Sequence, residues 1–262
     1  MNANLEVNDV PISGHEQHIT LRSYRPTFEK RILPIVLYFH GGGFTNGDIE
    51  EAGPAASHVA ERIPAWVVSV GYSLAPEFPF PTAPEDAYIA LTWAASNARH
   101  YRADASRIGV AGHDAGGNIA AGLAAIARDR GQFRISAQAL LAPLLDPSMT
   151  RLADLKKVTP TDLGADECGR CYRAYLPQAM QRIHPYAAPI ESRRLVGLPP
   201  TLIASAEHDL VRADGEKYAA ELIAAGVPTE VKRHTGATHQ ELASHPSVLA
   251  DVVSFFRRRL GA

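Results

Sequence analysis

The chain has 262 residues, a formal net charge of −2 at pH 7 and 46% hydrophobic residues. This length and composition suit one α/β domain with a large core. The small net charge provides no bulk attraction to nucleic acid or to an anionic membrane, so we expect neither as a partner. The N-terminus lacks the pattern of a secretory signal, and no apolar stretch of about 18 residues predicts a membrane span. We therefore expect a cytoplasmic protein.

Apolar runs alternate with helix-like stretches, which is typical of a mainly parallel, doubly wound sheet with helices on both faces. The early segment 16–26 predicts an antiparallel strand at the sheet edge. The strands predicted after it are 32–39, 65–70, 107–112, 137–144 and 200–206, with a more polar edge strand at 229–234. The predicted helices are 52–63, 83–97, 117–129, 214–225 and 246–260.

Residues 147–190 interrupt this alternation, because they are polar, rich in proline and placed between two predicted core strands. The segment is too long for an ordinary loop, so we predict a small cap-like insertion, with a helix near 166–176, in a single domain over 1–262. It contains both cysteines of the chain, Cys168 and Cys171. A zinc site would need about four ligands, and no second cysteine pair exists. We interpret the two thiols as incidental neighbours on one helix face.

Four short motifs each follow a predicted strand: HGGGFTNGD (40–48), GHDAGG (112–117), SAEHDLVRADG (205–215) and GATHQE (236–241). In doubly wound sheets, ligands bind outside the carboxyl ends of the strands. All four motifs fall at those ends, so we expect them to converge although they are far apart in the chain.

The residue types in these motifs indicate acyl-transfer or related chemistry. Consecutive glycines let the backbone approach a ligand with its N–H groups turned inward, where they can stabilise an oxyanion. GHDAGG has the form of a nucleophile elbow with Asp114 in place of serine, and Ala115 adds an amide at a helix N-terminus. His239 can act as a general base that a carboxylate such as Asp209 orients. No HExxH-type pattern is present, so we expect neither a metal nor an organic cofactor.

Three stretches resemble the hormone-sensitive-lipase-like group of α/β-hydrolases, which are carboxylesterases. They are HGGGFTNGD, VSVGYSLAPEFPFPTAPEDA (68–87) and DLVRADGEKYAAEL (209–222), and the resemblance extends from about Glu16 onward. It implies the α/β-hydrolase fold and a hydrolase of small, moderately apolar substrates. It also leaves a homodimer open, formed through the last helix and the edge strand.

Residue by residue, the resemblance assigns the oxyanion hole to Gly42, Gly43 and Ala115, the acid to Asp209 and the base to His239. The sequence departs from the family in three places. Asp114 stands where the family has its nucleophilic serine, and Gln240 and Glu241 follow the histidine in place of the usual Gly-Phe. Only about 39 residues precede the HGGG motif, so the family's larger N-terminal cap is mostly missing and an open, small pocket is expected.

Asp114 leaves several functions open. A carboxylate that attacks an ester forms a mixed anhydride, which is an uphill step, so ester turnover would be impaired. At a saturated carbon it forms an ordinary alkyl ester, which His239 could hydrolyse through water. Haloalkane dehalogenases and epoxide hydrolases work in that way. A ligand-binding protein without turnover, or an introduced replacement of serine, are further alternatives.

The alkyl-ester alternative needs additional groups. Tyr172 and Tyr175 are candidates for protonating a leaving oxygen, and Trp66 and Trp93 for binding a halide, but packing positions are the simpler interpretation of both tryptophans and of Tyr175. Two further histidines are interpreted as structural: His40 braces its loop by hydrogen bonds, and His113 points away along the turn.

Overall fold

The computed structural model describes residues 4–150 and 161–261, which form one mixed sheet with helices on both faces. In these ranges the strands are β1 (Leu5–Ser13), β2 (His18–Pro26), β3 (Leu33–Phe39), β4 (Trp66–Gly71), β5 (Ala103–His113), β6 (Ile135–Leu141), β7 (Thr201–His208) and β8 (Thr229–Thr238). The α-helices are α1 (Ile49–Arg62), α2 (Thr82–Asn97), α3 (Ala115–Arg130), α4 (Ala165–Tyr175), α5 (Arg212–Ala224) and α6 (Pro246–Leu260).

The strand order is β1-β2-β4-β3-β5-β6-β7-β8. Strand β2 pairs antiparallel with both β1 and β4, whereas every pair from β4 across to β8 is parallel. This is the mainly parallel, doubly wound sheet of the α/β-hydrolase fold, so the predicted fold class is confirmed. The carboxyl ends of β3, β5, β7 and β8 consequently lie along one side of the sheet.

The core lies on both faces of the sheet because alternate side chains of a strand point to opposite faces. In β3, Leu37 and Phe39 belong to the cluster that α2, α3 and α5 cover. Val36 and Tyr38 belong to the other cluster, which α1 and α6 cover. All seven residues of β3 are buried, and this explains why the strand is read from the sequence as one continuous apolar run.

Two predictions about the sheet edges have different outcomes. The prediction that residues 229–234 form a polar edge strand is confirmed, since β8 lies at the edge of the sheet. The prediction that residues 16–26 form the other edge is wrong, because β1 lies outside β2. Strand β1 is mostly exposed and therefore lacks the apolar alternation that identifies a strand. Its backbone ladder with β2 holds it there, together with an ion pair of 2.6 Å between Arg22 and Asp9.

Two element boundaries differ from the predictions for local reasons. Helix α1 begins three residues earlier than expected, since the side chain of Asp48 accepts hydrogen bonds from the N–H groups of Glu50 and Glu51. Strand β6 ends at Leu141, before the predicted 144, because Ala142 adopts a positive φ of 42° and Pro143 follows it.

The predicted insertion 147–190 contains α4 and a short 3-10 turn, Ala179–Ile183, and a second 3-10 turn, Pro189–Glu191, spans its C-terminal boundary. Its residues 151–160 lie outside the described part of the chain. Helix α4 packs over the loop after β3, where Tyr175 stacks on Phe44 with ring centroids 3.9 Å apart. Among the helices described, none combines the length and the apolar character that crossing a bilayer requires.

Candidate active site

Four of the loops that leave the sheet at the carboxyl ends of its strands meet at one place. Gly42 and Gly43 follow β3, Asp114 follows β5, Asp209 follows β7 and His239 follows β8. The structure thus brings together residues that are far apart in the chain, such as Asp114 and His239, which are 125 positions apart. The parallel arrangement of these strands is what puts their ends on the same side.

Asp114 lies in a sharp turn between β5 and α3, with φ 56° and ψ −120°. This is a strained conformation for a residue with a side chain, and it persists only where the surroundings enforce it. The N–H of Asp114 donates to the carbonyl of Leu141 at 2.9 Å, and its own carbonyl accepts from Gly117 at 3.0 Å. Close packing around the turn also enforces this conformation, because a Cβ at Gly116 would collide with the carbonyl oxygen of Phe39. The turn therefore presents the Asp114 side chain towards the HGGG loop.

The carboxylate of Asp114 occupies the cradle that the glycine amides form. Its Oδ2 atom accepts the N–H of Gly42 at 2.9 Å and the N–H of Gly43 at 2.7 Å. Its Oδ1 atom lies 3.2 Å from Nε2 of His239. Ala115 is the first residue of α3, where a backbone N–H has no partner within the helix.

The cradle depends on glycine at both positions. Gly42 and Gly43 have φ values of 99° and 59°, which favour glycine. The packing is also tight, since a Cβ at Gly43 would lie 2.6 Å from Sγ of Cys171. Helix α4 of the predicted insertion therefore packs directly against one of the two amide donors.

All four polar groups of His239 have hydrogen-bond partners. On the ring, Nδ1 lies 3.0 Å from Oδ1 of Asp209, and Nε2 contacts Asp114. On the backbone, the N–H donates to Oδ1 of Asp162 at 3.0 Å and the carbonyl accepts from Nε2 of His113 at 2.9 Å. His239 and Asp209 are both buried, so these hydrogen bonds of His239 are shielded from solvent.

The charges at this site stabilise one another. Burial alone would lower the pKa of His239, but the charge of Asp209 and the hydrogen bonds to Asp114 and Asp209 outweigh burial and raise the pKa to about 10. Burial alone would raise the pKa of Asp114, but its hydrogen bond to His239, the nearby imidazole charge and the Gly43 amide hold the pKa well below its usual range. At neutral pH the two side chains therefore form an imidazolium–carboxylate ion pair.

Two neighbouring histidines have structural roles, and one prediction about them is wrong. His40 donates to the carbonyl of Gly41 at 2.8 Å and stacks on Tyr72, so it braces the loop as expected. His113 does not point away from the site: its ring lies 5.0 Å from the ring of His239 and it donates to the carbonyl of that residue. Burial and the charge of His239 lower the pKa of His113 to about 4, so it is neutral at physiological pH.

A cavity of about 360 Å³ opens onto Asp114. Its volume is that of a pocket for a small molecule. Leu144, Leu163, Cys168 and Cys171 form an apolar wall on the side of the insertion. The sequence indicated no such position for the two thiols, because nothing in the CGRC spacing shows which helix face meets the HGGG loop.

The aromatic residues considered for leaving-group chemistry lie in packed positions. Trp66 is fully buried, donates to the hydroxyl of Ser23 at 2.8 Å and has the ring of Trp93 5.8 Å away. Tyr175 is stacked on Phe44, and Tyr172 is 4% exposed. Within residues 4–150 and 161–261, no group of three histidine, cysteine or acidic side chains is arranged to hold a metal ion.

A sequence profile described as the alpha/beta hydrolase fold matches residues 36–243. The chain therefore belongs to the α/β-hydrolase fold family, and it is an enzyme of the carboxylesterase-type hydrolase class by homology. It is 40% identical over 241 residues to Esterase LipI of Mycobacterium tuberculosis, covering 90% of this chain and 74% of that protein. It is 39% identical over 229 residues to Carboxylesterase NlhH of the same organism, covering 84% of this chain and 70% of that protein.

A solved structure supports the same assignment. The hyperthermophilic esterase from the archaeon Pyrobaculum calidifontis superposes with a TM-score of 0.90 at 36% sequence identity. The superposition covers 97% of this chain and 85% of the archaeal chain. The two proteins are therefore similar in amino-acid sequence as well as in fold.

Proposed function

We propose that this chain is a carboxylesterase-type hydrolase of small, moderately apolar molecules whose ester turnover is weak because Asp114 replaces serine. Asp114, His239 and Asp209 take the catalytic positions, and the amides of Gly42 and Gly43 form the oxyanion hole. The observation that carries the proposal is that Oδ2 of Asp114 accepts hydrogen bonds from both amides. The amide of Ala115, at the start of α3, is proposed as a third donor.

Three physical effects of Asp114 oppose ester hydrolysis. The carboxylate fills the cradle that a substrate carbonyl oxygen would need, so the amides cannot stabilise a tetrahedral intermediate while Asp114 remains there. His239 is protonated in the ion pair, because its pKa is raised to about 10, and a protonated imidazole cannot act as a general base. Attack by the carboxylate would in addition produce an anhydride, which is a more reactive acyl donor than the ester itself.

The test compares Asp114→Ser with Asp114→Ala on p-nitrophenyl acetate. Both variants empty the amide cradle, but only serine restores a hydroxyl nucleophile. We expect kcat/KM of Asp114→Ser to exceed that of the original chain by roughly 10³-fold or more, with Asp114→Ala remaining near the original rate. Equal turnover by the original chain and Asp114→Ser would show that Asp114 supports ester hydrolysis. A folded but inactive Asp114→Ser variant would contradict the assignment of the catalytic positions.

One observation favours a second candidate, hydrolysis at a saturated carbon. Because the two amides hold Oδ2, Oδ1, which contacts Nε2 of His239 at 3.2 Å, is the oxygen left to attack. Its attack on an epoxide or haloalkane carbon forms an alkyl ester of Asp114 and breaks the bond to oxygen or halide. The imidazolium of His239 gives its proton to the epoxide oxygen as that bond breaks, or to solvent when halide leaves. The ester carries no charge, so the pKa of His239 falls and the neutral ring can take a proton from water as that water attacks Cγ, with the glycine amides stabilising the oxyanion on Oδ2. The intermediate then expels Oδ1 with the alkyl group as an alcohol, which takes the proton from His239, and the carboxylic acid left on Asp114 re-forms the ion pair by giving its proton to His239.

This second candidate is tested by trapping. His239→Ala, incubated with an epoxide or a haloalkane, is expected to retain the alkyl group on the peptide that contains Asp114, and mass spectrometry measures the added mass. The matched control is the double variant His239→Ala/Asp114→Asn, which lacks the nucleophile and should gain no mass. If the original chain forms no product and His239→Ala gains no mass, hydrolysis at saturated carbon is excluded for those probes.

A further inference from the structure

One carboxylate from the predicted insertion holds the backbone of His239. Oδ1 of Asp162 accepts the N–H of His239 at 3.0 Å, and Oδ2 accepts the N–H of Gln240 at 2.9 Å. Asp162 and His239 are 77 positions apart in the chain. Both oxygens of one side chain are thus engaged by consecutive amides of the loop that carries the histidine.

These amides need a partner because a short helix begins at this point. The 3-10 helix Gln240–Ala243 has His239 as its N-cap residue. The first N–H groups of a helix have no partner within it, and the N-cap side chain usually accepts one of them. The ring of His239 cannot do so, since both its nitrogens are engaged by Asp209 and Asp114. Asp162, which lies outside this helix, supplies the capping oxygens that the His239 side chain cannot supply.

We propose that Asp162 is a positioning residue for His239, acting through the histidine's backbone and not on the substrate. The proposal rests on the catalytic role of His239 proposed above. Asp162 accepts the backbone N–H of His239 and His113 donates to its carbonyl, so both backbone polar groups of the histidine are held while its ring contacts Asp209 and Asp114. Reaction rates fall steeply when a catalytic group moves by a fraction of an ångström to an ångström.

The surroundings of Asp162 suit this role. Asp162 is an exposed residue, and the desolvation of its carboxylate by itself would raise its pKa, but the hydrogen bond from the Gln240 amide and the charge of His239 hold the pKa below its usual value, so the carboxylate is ionised at neutral pH. Glu241 braces the same loop by accepting the N–H and the hydroxyl of Thr238, both at 3.0 Å. The next residue, Leu163, lines the cavity, so the segment that positions the histidine also forms part of the pocket wall.

The test uses two readouts, of which one is independent of turnover. In the original chain, ¹H NMR follows the downfield resonance of the Nδ1 proton that His239 shares with Asp209. In the Asp114→Ser background, kcat and KM are measured for p-nitrophenyl acetate. For Asp162→Ala we expect the resonance to shift or broaden and kcat to fall roughly tenfold, with KM changed less than about twofold.

Asp162→Asn removes the charge but keeps one acceptor oxygen. Its single amide oxygen can accept one of the two backbone N–H groups, so kcat should be intermediate between Asp162→Ala and the parent. Asp166→Ala removes an exposed carboxylate from the first turn of α4 and is the matched control, with kcat and resonance unchanged. An unaltered resonance and an unaltered kcat in a folded Asp162→Ala variant would overturn the proposal. If Asp114→Ser hydrolyses no ester, the proposed function fails, while the resonance still decides the role of Asp162.

Discussion

Nε2 of His239 lies 3.2 Å from Oδ1 of Asp114, and the two side chains are 1% and 8% exposed. In this family a serine hydroxyl would face the same nitrogen, as the resemblance in sequence implies. A neutral hydroxyl leaves the imidazole free to accept a proton, whereas a carboxylate keeps a proton on it. Under the proposed function, an aspartate at the serine position therefore changes both the nucleophile and the base.

The first prediction concerns the pKa of His239. In Asp114→Asn the ring loses one of its two carboxylate partners, so its pKa should fall from about 10 towards the ordinary histidine range, with Asp209 still supporting the charged form. A pH titration of the His239 ring signals by NMR measures this change. Asp166→Ala serves as the control and should leave the titration where it is. A pKa that stays near 10 in Asp114→Asn would show that Asp209 alone protonates the ring.

The second prediction concerns stability against pH. The folded-state pKa of His239 is raised above its unfolded value, so its contribution is complete below about pH 6.5 and is lost as the pH rises towards 10. The folded-state pKa of Asp114 is depressed, so its contribution is present above about pH 4 and is lost as the pH falls further. The ion pair therefore stabilises the fold most between these limits.

Urea unfolding of the original chain and of Asp114→Ala, at several pH values, measures this contribution. Between about pH 6.5 and pH 10, the free energy of unfolding of the original chain should fall by roughly 1 to 2 kcal/mol more than that of Asp114→Ala. Protonation of His113 affects both proteins and largely cancels in the difference. A difference that does not vary with pH would contradict the ion pair.

The third prediction concerns the close packing that supports the turn at Asp114. Gly116→Ala places a Cβ against the backbone carbonyl oxygens of Phe39 and His40, which cannot move without disrupting β3. We expect a loss of roughly 3 kcal/mol or more in the free energy of unfolding, measured by denaturant titration. Gly169→Ala is the matched control within a helix, because its Cβ would meet only the mobile end of Arg173 at 3.2 Å and the sulfur of Met149 at 3.7 Å. Its change should stay within about 1 kcal/mol.

The fourth prediction concerns the thiols of the cavity wall. Cys171 is half-buried, whereas Cys168 is 2% exposed. Burial raises the pKa of both thiols, so each reacts slowly at neutral pH, but Cys171 should be alkylated first. Peptide mapping after limited treatment with iodoacetamide measures the order. In the Asp114→Ser background, the added group beside Gly43 should reduce ester turnover, and Cys171→Ala should protect against this inhibition. Alkylation of Cys168 first would contradict the packing of α4 described above.

Most of the fold could be read from the sequence because its signals are local. The apolar run at 32–39 and the glycine after 214–225 identify a strand and a helix end within one or two residues of where the structure has them. Strand β1 was missed, since it is mostly exposed and is held by pairing with β2, which no local pattern records. The orientation of His113 was wrong for a related reason: its partner is the carbonyl of a residue 126 positions later.

The sequence by itself determined that four motifs stand at the ends of parallel strands, and therefore that Asp114, Asp209, His239 and the paired glycines lie near one another. It also predicted, from the resemblance, that a carboxylate stands where the family has a serine. Only the tertiary structure decided that Oδ2 of this carboxylate fills the amide cradle, that the imidazole is held as its ion-pair partner, and that Asp162 caps the histidine loop. The strands, the helices and the motifs that follow them depend on residues that are close in sequence, whereas these contacts depend on distances of about 3 Å between loops that only the folded sheet brings together.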